Sequence, residues 1–251
     1  MDSITRFTTK AKKYHKYRPR YPEKIIDLLI SKTDLSSSKS FKVADIGSGT
    51  GILSELFLKN GNTVFGVEPN NNMRQVAERM LKHYSNFISV KGVAERTNIN
   101  NIVDMITAGQ SFHWFEIEKT HREFKRIIKP EGYVVLIWNQ RKNLTTPFGR
   151  EIEEILNTYG KDYVQVKKYE ENIDFQKFFG TNDYTKTTIH ITRMMSYEEL
   201  QGRLVSISCI PDSEDPKYPE MVKKFQSVFA KYQENGIVTT EYDTEVYFGQ
   251  L

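Results

Sequence analysis

Residues 43–51 have the sequence Val43-Ala44-Asp45-Ile46-Gly47-Ser48-Gly49-Thr50-Gly51, and this stretch decides the fold of the chain. It joins a short apolar segment to a segment whose apolar side chains recur at helical spacing from Ile52. Glycines at such a junction let the backbone turn tightly and let a ligand come close. Because ligands in open α/β sheets bind where the strands end, residues 43–51 are predicted to form a ligand-binding turn.

Strand and helix patterns alternate on both sides of this turn. Short apolar strands are predicted at residues 41–46, 63–67, 87–90, 102–107 and 133–138, with helical spacing of apolar residues between most of them. This alternation predicts a doubly wound parallel sheet covered on both faces.

The chain after residue 140 has a different pattern. Helices are predicted at residues 147–159, 196–204 and 218–234, and strands at 185–192 and 241–251. Ser196-Tyr197-Glu198-Glu199 has the form of a capping box. The fold class expected for the whole chain is therefore α/β, with a doubly wound, mostly parallel seven-stranded sheet of Rossmann-like type, an antiparallel edge strand and a helical cap.

No composition shift marks a linker, so we expect a single domain over residues 1–251. Within it, residues 1–40 form an N-terminal lid and helix, residues 41–140 the ligand-binding core, and residues 141–251 the cap helices and final edge strands. The single cysteine, Cys209, excludes an internal disulfide. The sequence shows neither a signal-peptide pattern nor an apolar run of about 20 residues, so a cytoplasmic protein without a membrane partner is expected.

The positive charge of the chain is concentrated at its start. Residues 1–24 contain eight lysine or arginine side chains and two acidic ones, whereas the whole chain has a net charge of +4. Such a basic arm is compatible with nucleic acid, with a small anion, or with a solvated helix face. No nucleic-acid-binding module follows it, so nucleic acid is not the favoured partner. No pattern specifies an oligomeric state.

The spacing around the turn distinguishes between cofactor classes. Gly47, Gly49 and Gly51 form G-x-G-x-G, whereas the dinucleotide fingerprint is G-x-G-x-x-G. Asp45 would repel a pyrophosphate, but it suits a cofactor that carries an ammonium and a sulfonium group. A P-loop is excluded, because no Gly-Lys-Ser/Thr follows. Glu68 ends the second strand, where a carboxylate accepts ribose hydroxyls in either cofactor class.

Three motifs together resemble the class I S-adenosylmethionine (SAM)-dependent methyltransferases. Residues 45–51 resemble motif I of that family, residues 92–95 (Gly-Val-Ala-Glu) the segment beside adenine, and residues 129–133 the turn into the fifth strand. The resemblance implies SAM as cofactor, S-adenosylhomocysteine as product and no metal. The residues it implies for the cofactor site are Tyr14, Arg18, Asp45, Gly47, Ser48, Gly49, Gly51, Glu68, Pro69, Met73, Ala94, Glu95, Gln110, Ser111 and Phe112.

A narrower resemblance is carried by two further segments. Residues 7–22 follow the pattern F-x-x-x-A-x-x-Y-x-x-x-R-P-x-Y-P, and residues 110–115 are Gln-Ser-Phe-His-Trp-Phe. Both are similar to small-molecule methyltransferases related to trans-aconitate methyltransferase (methyltransferase type 11-like). The resemblance implies that Tyr14 and Arg18 belong to a lid, with Arg18 near the cofactor carboxylate. The alternative for Arg18 is a solvated basic helix. Gly109-Gln110-Ser111 departs from the alanine-rich run expected before His113.

The acceptor site is expected beyond the fourth and fifth strands. His113 is the candidate catalytic residue, with three open roles: general base, hydrogen-bond donor to an acidic substrate, or structural histidine. Trp114 either lines the substrate pocket or packs in the core, and Arg141 either pairs with a substrate carboxylate or lies on the surface. A small-molecule carboxylate acceptor is slightly favoured over a hydroxyl or nitrogen.

Other chemistries lack their signatures. No Asn/Asp-Pro-Pro-Tyr follows the fourth strand, one cysteine cannot supply a two-thiol route to carbon methylation, and no zinc-ligand spacing is present. The alternatives that stay open are a nicotinamide oxidoreductase, a SAM-binding sensor without turnover, and an RNA methyltransferase that uses the basic arm.

Overall fold

The computed structural model describes residues 10–33, 40–180 and 184–251. Within these ranges seven strands form one sheet: β1 (Lys42–Ile46), β2 (Thr63–Val67), β3 (Phe87–Val90), β4 (Val103–Gly109), β5 (Ile128–Arg141), β6 (Tyr184–Ser196) and β7 (Ile237–Gly249). The basic residue Arg6, the motif residue Phe7 and the serines at 36–38 lie outside the described residues.

The order of the strands is β3-β2-β1-β4-β5-β7-β6. Strands β1 to β5 are parallel, and β7 runs antiparallel to both of its neighbours, β5 and β6. The predicted fold class, a mostly parallel seven-stranded sheet with antiparallel pairing at one edge, is thereby confirmed. Strand β1 lies between β2 and β4, so the chain reverses its direction of winding there. The crevice outside the carboxyl end of β1 is the expected ligand position in such a sheet.

Ten helices accompany the strands in the described ranges: α1 (Ala11–Tyr17), α2 (Lys24–Lys32), α3 (Ile52–Lys59), α4 (Asn71–Met80), α5 (Ile117–Ile127), α6 (Pro147–Tyr159), α7 (Tyr163–Glu171), α8 (Phe175–Phe179), α9 (Tyr197–Val205) and α10 (Tyr218–Tyr232). Helices α7 and α8 have no counterpart in the sequence prediction. The capping box at Ser196 and Glu199 is confirmed as the start of α9. None of the described helices combines the length and apolarity that crossing a bilayer requires.

Both faces of the sheet are buried. Val43 packs with residues of α2 and α3 on one face, whereas Ala44 and Ile46 pack with residues of α5 on the other. This continuous burial explains why β1 is apolar at successive positions instead of alternating. The cap helices α6, α9 and α10 bury a separate apolar cluster, in which Ile155 and Phe225 are almost fully enclosed.

Strand β5 begins earlier than the sequence pattern suggests. Ile128 was expected to end a helix and residues 129–132 to form a turn, but α5 ends at Ile127 and β5 starts at Ile128. Val103 pairs with Ile128, and after a register shift Met105 pairs with Tyr133. Between these pairs β5 has more residues than β4. The register shift accommodates the additional residues of β5, so the strand is continuous from Ile128.

The last glycine of the turn, Gly51, determines how α3 begins. Its φ is +81°, and a Cβ atom there would lie 2.5 Å from Cδ1 of Leu81. We expect Gly51→Ala to lower the free energy of unfolding by about 2–3 kcal/mol, through backbone strain and this clash. Gly61 is the matched control, because its φ is +88° and nothing lies within 4 Å of the built Cβ.

Gly61→Ala should therefore cost only about 1 kcal/mol, the strain alone. Urea unfolding of both variants measures the difference. Equal losses in the two variants would contradict a steric role for Leu81.

Candidate active site

A cavity of about 210 Å³ lies at the carboxyl ends of the parallel strands. Ten predicted cofactor residues line it: Tyr14, Gly47, Gly49, Glu68, Pro69, Met73, Ala94, Glu95, Gln110 and Ser111. The wall also contains Trp114, which was predicted for the substrate site, and four residues that sequence reasoning missed: Asn70, Val93, Gly109 and Phe115. These four residues lie next to or near predicted residues in the sequence, so the same motifs could have indicated them. We name this space the cofactor cavity.

Glu68 fixes the two turns that border the cofactor cavity. Its Oε2 accepts a hydrogen bond from the Gly49 N–H at 2.9 Å, and its Oε1 accepts one from the Asn70 N–H at 2.8 Å. Burial raises the pKa of the Glu68 carboxyl, while these two hydrogen bonds act in the opposite direction. Each carboxylate oxygen has a second lone pair, so Glu68 can also accept from hydroxyl groups of a ligand.

Asp45 lies beneath the glycine turn. Only 1% of its surface is exposed, and it accepts hydrogen bonds from Ser54 Oγ at 2.6 Å and from Thr107 Oγ1 at 3.2 Å. Burial raises the pKa of Asp45 to about 6, which still leaves the carboxylate mostly ionised at pH 7. Asp45 also lines a small space of about 30 Å³ together with the predicted residues Arg18 and Ser48.

A second cavity, of about 130 Å³, adjoins the cofactor cavity. Tyr14, Gln110 and Trp114 line both. The second cavity brings together the predicted residues Arg18, His113, Trp114 and Arg141. We name it the acceptor cavity. Sequence reasoning missed its cap residues, notably Glu153, Tyr163, Lys167 and Arg203, because they come from helices α6, α7 and α9, whose packing has no local sequence signal.

Hydrogen bonds order one wall of the acceptor cavity. Arg141 Nη2 donates to the Tyr163 hydroxyl at 3.2 Å, and that hydroxyl lies 3.1 Å from both oxygens of Glu153. Lys167 Nζ donates to Glu153 Oε1 at 3.0 Å. The acid on this wall is therefore already paired with a lysine. Burial and the nearby Glu153 raise the pKa of the Tyr163 hydroxyl to about 12, against the lowering effect of Arg141.

Three guanidinium groups face the acceptor cavity without an acidic partner. Among the described side chains, no carboxylate pairs with Arg18, Arg141 or Arg203. Arg203 instead lies over the Tyr242 ring, with Cζ 4.9 Å from the centroid. Burial lowers the pKa of Arg203 to about 10, and the neighbouring positive charges of Arg141 and Arg18 contribute to this shift. The wall of this cavity therefore carries an excess of positive charge.

His113 faces the acceptor cavity as a neutral side chain. Burial lowers its pKa to about 4, and its ring centroid lies 4.7 Å from that of Trp114. A general base works best with a pKa near the operating pH, so an imidazole with this pKa is a weak base at pH 7. The lowered pKa argues against the general-base role, and the hydrogen-bonding and structural roles both stay open.

Two predicted cofactor residues contribute to packing instead. Phe112 is 1% exposed and makes edge-to-face contacts with the rings of Phe115, Trp138 and Phe178. Gly51 caps the N-terminus of α3 and packs toward Leu81. Gly51 belongs to the glycine turn and Phe112 to the segment 110–115. In the fold, both lie against core residues and neither lines the cofactor cavity. In the described ranges no group of three or more metal-ligating side chains is gathered.

Helix α1 contributes Tyr14 to the wall of the cofactor cavity and also contacts the cap. Ala11 and Tyr14 pack against Met73 and Val76 of α4. At the other end, the Tyr17 ring packs directly on Gly202 of α9. Lys10, just before α1, is buried and donates to the Ile207 carbonyl oxygen at 3.2 Å. The helix therefore touches the walls of both cavities.

Comparison with known proteins agrees with this architecture. Residues 44–136 match a family model described as a methyltransferase domain. An uncharacterised methyltransferase of Mycobacterium tuberculosis (Rv3342) is 30% identical over 148 residues, which make up 59% of this chain and 57% of that protein. The chain thus spans little more than half the length of this relative. An uncharacterised methyltransferase-like protein of Schizosaccharomyces pombe (C25B8.10) is 24% identical over 246 residues, covering 95% of this chain and 92% of that protein.

Solved structures share the fold. A candidate type II methyltransferase from Anaeromyxobacter dehalogenans superposes with a TM-score of 0.67 at 16% identity, over 93% of this chain and 98% of that one. The YcgJ protein from Bacillus subtilis superposes with a TM-score of 0.52 at 16% identity, over 91% and 98%. Together, the comparisons show that residues 44–136 match a methyltransferase domain, that the relatives named above are methyltransferases or methyltransferase-like, and that the chain shares the fold of solved structures.

Proposed function

We propose that this protein binds SAM in the cofactor cavity and transfers its methyl group to a carboxylate of a small molecule in the acceptor cavity. The observation that carries the proposal is the set of three guanidinium groups, Arg18, Arg141 and Arg203, that face the acceptor cavity without an acidic partner among the described side chains. An anionic ligand would supply the missing negative charge.

The walls of the cofactor cavity suit the parts of SAM. Met73, Val93 and Ala94 offer an apolar surface to a flat base, and the Glu68 carboxylate is an acceptor for a pair of ribose hydroxyls. Buried Asp45 lines the small space beside the glycine turn, together with Gly47 and Gly49, and provides an anion for a cationic cofactor there. When bound, SAM supplies a methyl carbon that passes to a nucleophile as its bond to sulfur breaks and the bonding electrons stay on sulfur.

A carboxylate acceptor fits the protein groups on the other side. Its oxygen is already ionised, so no proton has to be removed, and a neutral His113 with a pKa of about 4 is sufficient. Arg141 and Arg203 would hold the carboxylate through charge-assisted hydrogen bonds and thus orient one oxygen toward the cofactor cavity. The cap helices and α1 enclose the acceptor cavity, which supports a small molecule as the acceptor.

Methyl-tritiated SAM and a mixture of small organic acids test this proposal. After base treatment, volatile tritiated methanol is the expected product, because methyl esters hydrolyse and ethers do not. Arg141→Gln should lower kcat/KM for the acid at least about 30-fold, by removal of a charged hydrogen-bond partner. Arg122→Gln, on the exposed face of α5, is the matched control and should leave kcat/KM unchanged.

The outcomes separate the alternatives. Base-stable label would move the acceptor to a hydroxyl or nitrogen. SAM binding with no incorporation from any acid would contradict carboxylate methylation and favour a sensor.

A further inference from the structure

A third cavity, of about 50 Å³, lies inside the cap between α6, α9 and α10. Its apolar wall consists of Phe148, Ile152, Leu156, Leu200, Leu204 and Phe225. All six side chains are less than 9% exposed. Thr240 and the exposed Glu241 complete its rim. We name this space the tail pocket.

The tail pocket is contiguous with the acceptor cavity. Arg141, Arg203 and Ile207 line both spaces. The two guanidinium groups therefore mark a border, with polar groups on the cofactor side and aliphatic and aromatic groups on the cap side. A molecule that crosses this border meets positive charge first and an apolar environment second.

An unfilled space of this kind is unusual in a packed interior. Protein cores are close-packed, with few voids larger than a water molecule. The leucine, isoleucine and phenylalanine side chains of the wall offer water few hydrogen-bond partners and therefore favour an apolar ligand over water. The cap thus keeps an apolar space beside a charged one, and a ligand with both characters would fill the two together.

Resting on the proposed function, we propose that the acceptor is an organic acid with an apolar tail. Its carboxylate lies in the acceptor cavity on Arg141 and Arg203, and its hydrocarbon tail extends into the tail pocket. A polar acid whose second carboxylate extends past the two arginines would place that charge against Ile152, Leu200 and Leu204, which is unfavourable.

A series of straight-chain acids tests this inference. The kcat/KM for methyl ester formation should rise about fourfold with each added methylene until the pocket is full, as expected for transfer of a methylene out of water. Succinate, a short acid with two charges, should be a poorer substrate than the monocarboxylate of equal length. Mass spectrometry of the esters gives the rates.

Two variants with opposite effects locate the tail. Leu204→Phe should fill the pocket and lower kcat/KM for the preferred acid at least tenfold, mainly through KM, while propionate is unaffected. Ile152→Ala should enlarge the pocket and move the preference to a longer or bulkier acid. Asn157→Ala, on the exposed face of α6, is the control. Thermal unfolding and calorimetric SAM affinity verify that each variant is folded.

The results distinguish this inference from the proposed function. Methyl esters formed from succinate as readily as from apolar acids, with no response to either variant, would overturn the tail pocket and leave carboxylate methylation standing. If no acid is methylated, the proposal of carboxylate methylation is wrong. Calorimetric titration with decanoate then tests whether the tail pocket binds an apolar tail. Absence of decanoate binding, or binding that Leu204→Phe leaves unchanged, would overturn it.

Discussion

Replacing Glu68 with glutamine is expected to weaken SAM binding about 100-fold. The Glu68 carboxylate accepts from the Gly49 and Asn70 N–H groups at 2.9 and 2.8 Å, and these hydrogen bonds hold both turns of the cofactor cavity. A glutamine keeps one acceptor oxygen and places an NH₂ group against a backbone donor. The loss of one charged hydrogen bond and the mispairing of the other should reduce the free energy of SAM binding by about 3 kcal/mol.

Isothermal titration with SAM and with S-adenosylhomocysteine measures this effect. Glu78→Gln is the matched control, because Glu78 lies on α4, close to Glu68 in the chain, and binds Ser89 on the surface. The dissociation constant of the Glu78→Gln variant for SAM should equal that of the unchanged protein. An unaltered affinity in Glu68→Gln, with the protein folded, would remove Glu68 from the cofactor site.

Acidification from pH 7 to pH 5 is expected to lower the free energy of unfolding by roughly 2 kcal/mol through His113 alone. Burial lowers the pKa of His113 to about 4 in the folded protein, from the ordinary histidine value of 6.5. Between these values the unfolded chain binds more protons than the native one, so stability falls as the pH falls. The loss starts near pH 6.5 and is complete near pH 4.

The titration of Asp45 changes the free energy of unfolding in the opposite direction over part of this pH range. Its pKa is raised from 3.8 to about 6, so the native state binds more protons there and stability from this group falls as the pH rises. The difference between the unchanged protein and His113→Gln isolates the histidine, because Asp45 is present in both. Urea unfolding at pH 5, 6 and 7 gives the two curves, and parallel curves would show that His113 is not buried as described.

The sheet and the cofactor cavity were predictable because their signals are local. Strand–turn–helix alternation fixed the parallel core, and Gly47, Gly49 and Glu68 fall where two strands end, which places them in one crevice of any such sheet. The short helix α8, residues 175–179, has too few residues for a helical period to be recognised. Helix α7 lacks a clear apolar face, so its formation depends on packing with α6.

The charged side of the acceptor cavity was only partly predictable. Arg141 directly follows the apolar run of β5, and its position at the carboxyl end of a strand suggested a role. Arg203 lies in the last turn of α9, where an arginine is ordinarily a solvated side chain. Its approach to Arg141 results from the docking of α9 near β7, a long-range contact that residue spacing does not contain.

The position of α1 between the two cavities implies thermodynamic linkage between their occupants. Tyr14 is part of the wall of both, and the same helix is fastened to the cap through Lys10 and Tyr17. A ligand that orders α1 from one cavity changes the affinity of the other cavity for its ligand. By thermodynamic reciprocity, the second ligand changes the affinity for the first by the same factor. We therefore expect the two affinities to depend on each other through the seven residues of α1.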